Sequence, residues 1–136
     1  MKHSARVLAC RSAPLAAAYC DQLHDAYADV AAAIRRGERV LALAGFEHAL
    51  EPLQKLLVFT AVAGDLLRDA QHPLRGPVEG FMRAVLRILD PLEEAVVSQD
   101  FEQIVALLEL ELVPTLEQFH ELGGRLAAAL EPRLAA

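Results

Sequence analysis

The chain has 136 residues, enough for one domain with a real core, and 54% of them are apolar, much of that Leu, Ala and Val. A charged fraction of 24% excludes a disordered chain, and aromatics at 5% with no Trp leave Leu–Leu and Leu–Ala packing to supply most of the burial. With 19 acidic against 13 basic residues the formal charge is −6, which lacks the clustered positive field that DNA or RNA binding needs.

Residues 1–12 read as a loose lead-in. Lys2 and Arg6 ahead of Val7-Leu8-Ala9-Cys10 superficially resemble a lipoprotein cleavage site. Nine residues before the cysteine are too few for a signal peptide, and Arg6 and Arg11 bracket the short apolar run. The expectation is a cytoplasmic protein whose Cys10 and Cys20 stay reduced.

The spacing predicts a first helix over about 14–36, with Pro14 in its opening turn and Gly37 as its stop. Leu15, Tyr19, Leu23, Ala26, Val30 and Ile34 fall along one side of it. A second helix, about 40–70, carries Leu43, Phe46, Leu50, Leu53, Leu57, Thr60, Gly64 and Leu67, with Pro52 inside it as a bend. His72 to Pro77 is the clearest loop. A third helix, about 77–98, places Val78, Phe81, Val85, Ile88, Leu92 and Val96 together and contains Pro91. Asp100 caps a fourth, about 101–122, with Gln103 three residues on as the capping partner. Its stripe runs from Phe101 through Ile104, Leu108, Leu112, Thr115 and Phe119 to Leu122; Pro114 interrupts it and Gly123-Gly124 ends it. The tail, 125–136, reads as a short extra helix. The fold class is all-α: an antiparallel, up-down four-helix bundle with proline-kinked helices, in one domain.

One segment carries more apolar surface than four helices require. From Leu56 to Gly64 nearly every residue is apolar, and a helix greasy on all sides is generally covered on all sides. Leu56, Val58, Phe59 and Val62 therefore form the candidate partner-binding surface, for a second copy or for a helical client. The same run is far short of the roughly 20 residues a spanning helix needs, so no membrane insertion is expected.

Catalytic and metal motifs are sparse. Glu117-Gln-Phe-His120 has the Glu-x-x-His spacing of carboxylate-bridged di-iron bundles, and Asp21-Gln-Leu-His24 is a looser echo. At 100° per residue Glu117 lies far from the core stripe, His120 on its flank, and His24 nearly opposite Leu15. His24, Glu117 and His120 thus stand only as the alternative, a metal-binding bundle or metalloenzyme; the main reading has no cofactor, no metal and no catalytic residue. Gly123-Gly124 follows a helix, where it does not cradle phosphate. Cys10 and Cys20 have no sequence context that activates a thiol.

The stretch from Asp100 to Leu116, an Asp-aromatic start followed by Leu-Glu-Leu-Glu-Leu-Val-Pro-Thr-Leu, resembles a family of small, uncharacterised bacterial helical-bundle proteins. Phe81 to Phe119 resembles more loosely the last helical hairpin of bacterial flagellin export chaperones. That second resemblance implies a bundle that holds a secreted helical polypeptide along apolar grooves. It carries no individual functional residue onto this chain. The expected function is a non-enzymatic, chaperone- or adaptor-like protein that binds protein.

Overall fold

The computed structural model describes residues 2–130, with side-chain surroundings for residues 11–130. Its elements are α1 (Lys2–Arg35), α2 (Arg39–Asp69), α3 (Arg75–Val97), α4 (Phe101–Leu107), a π-helical turn (Leu108–Leu112) and α5 (Val113–Leu130). The last three form one rod, so the described residues make an all-α bundle of four rods. α1 packs against α2 and α5, and α3 closes the far side against α2 and the fourth rod. With three short connections, consecutive rods run antiparallel.

Burial explains the order. Leu23, Leu56, Val85, Ile104, Leu108, Leu112, Leu116 and Leu126 are fully enclosed, and Phe81 tilts against Phe119 with ring centroids 5.0 Å apart. Each such side chain contributes roughly 1.5–3 kcal/mol when removed from water. α1 and α2 lie closest together. Buried alanines on both helices and Gly45 against Val30 allow that approach; a Cβ on Gly45 would sit 2.6 Å from the Val30 Cγ2.

All three connections close with the same device. Gly37, Gln71 and Gln99 take positive φ values of 80°, 54° and 58°. In each turn the next residue donates its N–H back across six residues, Glu38 to the Ala33 carbonyl, His72 to Leu67 and Asp100 to Ala95, each at 2.9 Å. The Asp100 side chain then accepts the Gln103 N–H and starts α4, as its position predicts.

The structure corrects three boundaries. The lead-in expected over 1–12 is helical from Lys2 onward. Lys, Arg, Ala and Leu there are strong helix formers, and Pro14 deprives the longer helix of only one backbone bond. α3 begins at Arg75, so Pro77 sits within its first turn, where a missing N–H costs nothing, and the Leu74 N–H is taken by the His72 ring at 3.0 Å. Gly123-Gly124 does not end the fourth rod: α5 runs on to Leu130. Gly123 is buried because Phe119 leaves no room for a side chain, a Cβ falling 2.9 Å from the ring. Of the expected tail, 131–136 lies outside the described residues.

Pro14, Pro52 and Pro91 sit inside helices whose α winding continues. Around Pro114 the winding changes. Proline offers no N–H to the carbonyl four residues back, and just before it the Val113 N–H reaches the Leu108 carbonyl, one residue farther than in an α-helix. Thr115, nearly buried, satisfies its hydroxyl by donating to the Glu111 carbonyl at 2.7 Å.

Candidate partner-binding surface

Two runs without charge lie side by side on α1 and α2. The first, Ser12 to Cys20, is bounded by Arg11 and Asp21; the second, Leu56 to Gly64, by Lys55 and Asp65. Nine residues of helix are about 13 Å long, so the antiparallel pair presents an uncharged window of that height. Between the helices the window sinks into a groove of about 390 Å³. Leu15 and Tyr19 form one wall, Val58 and Val62 the other, and Phe59 lies at the base.

Exposure separates the four candidate residues. Val58 is 64% exposed and Val62 38%, with Leu15 opposite at 56%, whereas Phe59 keeps 8% and Leu56 none. Leu56 is therefore a core residue and not part of the surface. The reason is angular: Leu56, Phe59 and Ala63 turn toward the bundle interior while Val58 and Val62 turn outward. The segment is greasy all round because it serves both sides. Thr60, its only polar side chain, is buried with its hydroxyl on the Leu56 carbonyl at 2.7 Å.

Among the described residues that line the groove, Lys55 is the one cation. Lys55 Nζ lies 2.9 Å from Glu51 and 5.4 Å from the Tyr19 ring centroid. Its ammonium titrates above the ordinary lysine value, through the hydrogen bond to Glu51 first and then Tyr19.

The metal alternative maps to another face. Asp21 and His24 on α1 meet Glu117 and His120 on α5 above Leu116. They are cross-paired, His24 Nε2 with Glu117 at 3.0 Å and His120 Nδ1 with Asp21 at 3.1 Å; Asp25 lies 3.3 Å from His24 Nδ1. The Glu117 hydrogen bond is the main cause of a raised His24 pKa, partial burial opposing it. Among the described residues no group of three or more His, Cys, Asp or Glu side chains is arranged to hold a metal ion. The helical period places these residues away from the core, but the pairing is invisible in it, because it needs the register of two antiparallel rods.

Neither Cys20 nor Tyr27 is held as an activated nucleophile. The Cys20 thiol is buried, donates to the Leu116 carbonyl at 3.3 Å, and is pushed up to about 12 by desolvation and then by Asp21, so it stays protonated. Burial likewise pushes the Tyr27 phenol up to about 12. Among the described residues no helix is long and apolar enough to cross a membrane. Comparisons with protein-family models, with curated proteins and with solved structures give no match for this chain.

Proposed function

We propose that the protein is a non-enzymatic, cytoplasmic helical bundle that works by binding protein, accepting an apolar helix in the groove between α1 and α2. One observation carries the reading: Leu15, Val58 and Val62 stand exposed around a largely apolar groove with Lys55 at its rim, while 31 other apolar side chains among the described residues are already buried. Exposed apolar side chains gathered around a concavity mark interaction sites more often than scattered ones do. Two facing helices form the trough that suits an amphipathic third, read through anchors three and four residues apart. The resemblance to flagellin export chaperones points to the same mode.

A photo-crosslinking amino acid placed at position 58 or 62, in the cell that makes the protein, tests this. Protein adducts are expected there and not from the control position Arg87 on α3. Val58→Asp should suppress the adduct formed from position 62 while leaving the helical content unchanged. Phe59→Asp is unsuitable for that purpose, because it buries a charge and should unfold the chain. Adducts absent from both groove positions, or equally abundant at Arg87, would remove the proposal.

A further inference from the structure

We infer that the occupant of this groove is α2 of a second copy, packed antiparallel about a two-fold axis over Thr60. The inference rests on the protein-binding reading and names its partner. Along the outer side of α2, Lys55, Val58, Val62 and Asp65 follow steps of three, four and three, which keeps them on one stripe. The stripe is self-complementary when reversed. With the axis midway between the valines, Val58 of one protomer meets the partner's Val62, and Lys55 meets Asp65 of the partner subunit. Symmetry repeats both contacts, the requirement of an isologous interface.

Charge selects this arrangement over its rival. A parallel pairing sets Lys55 against Lys55 and Asp65 against Asp65, a like-charge opposition at both rims. The antiparallel pairing converts both rims to attraction. It also brings two chains of formal charge −6 together through the windows of α1 and α2 that carry no charge. The two valines of the partner's α2 descend between Leu15 and Tyr19 on one wall and Val58 and Val62 on the other, filling the groove with apolar atoms. Lys55 and Asp65 already hold exposed partners within the protomer, Glu51 at 2.9 Å and Arg68 at 3.3 Å. Such surface pairs are weak and exchange readily.

Sedimentation velocity over a concentration series decides the matter. The wild type is expected to form a reversible dimer, and Val58→Asp to abolish it. Lys55→Glu and Asp65→Lys should each weaken dimerisation about 10-fold, since each substitution reverses two symmetric contacts. The double variant K55E/D65K restores opposite charges across the axis and should return to within about 3-fold of wild type. Both positions are solvent-exposed, and far-UV circular dichroism verifies that each variant keeps its helices. A wild type that stays monomeric up to about millimolar concentration overturns the inference. So does a dimer indifferent to Val58→Asp, or one that the double variant fails to restore. Crosslinks from position 58 to a different protein, together with a monomeric wild type, would leave the protein-binding reading standing and assign the groove to a client helix.

Discussion

At the scale of single residues, Gly45 shows how little room separates α1 from α2. An alanine there would gain about 1 kcal/mol of helix propensity. It would also drive its methyl into Val30, whose branched side chain has one strongly preferred rotamer in a helix. Overpacking should win: Gly45→Ala is expected to lower stability by about 1–2 kcal/mol in urea unfolding. Adding Val30→Ala should recover part of that loss, and a neutral or stabilising Gly45→Ala would show the two helices farther apart than described. Being apolar on every side, the segment from Leu56 to Gly64 groups Leu56 with Val58, although the stripe through Leu53, Thr60 and Leu67 passes much nearer to Leu56. Gly123 illustrates a related ambiguity. A glycine near a helix end can stop the winding or admit a neighbouring ring, and only the position of Phe119 decides which.

At the scale of elements, periodicity disclosed the rods and the principal turns, since every core stripe repeats at three and four residues. What it did not disclose was how polar flanks of different rods meet. The α1–α5 seam is the example, with His24 on Glu117 and His120 on Asp21. The His24 pKa is raised in the folded protein, so its contribution to stability is fully present below the ordinary value of 6.5 and is lost as pH rises through the folded pKa. Being largely exposed, the pair contributes at most about 0.5 kcal/mol. His24→Gln should therefore lower the unfolding midpoint slightly near pH 5.5, about one unit below the ordinary histidine value, and leave it unchanged near pH 8–9. A loss of equal size at both ends of that range would assign the effect to packing.

At the scale of the whole molecule, composition anticipated an all-α domain with a Leu- and Ala-rich interior, and the four rods agree with that. The groove was half legible. The run from Leu56 to Gly64 announced surplus apolar surface, but its other wall, Leu15 and Tyr19, reads in sequence as an ordinary core stripe. Those two residues face the groove because α1 contacts α2 on one flank and α5 on the other, which leaves an outer angle that Leu15 overlooks. Stability and binding therefore draw on different atoms of the same two helices.

The wide turn at Leu108–Leu112 has a consequence for chain length. A π turn holds one residue more than an α turn, so everything downstream is rotated by about 100° relative to an uninterrupted rod. Leu110 points into solvent there, a spare link. Excising it should let the rod rewind as plain α-helix with Ile104, Leu107, Leu116 and Phe119 still facing inward, so that the shortened protein folds cooperatively. Excising Glu117, also exposed but within regular winding, should turn Phe119, Leu122 and Leu126 out of the interior and unfold it. Thermal melts of the two shortened chains would show whether the bundle tolerates a missing link only where it already carries one too many.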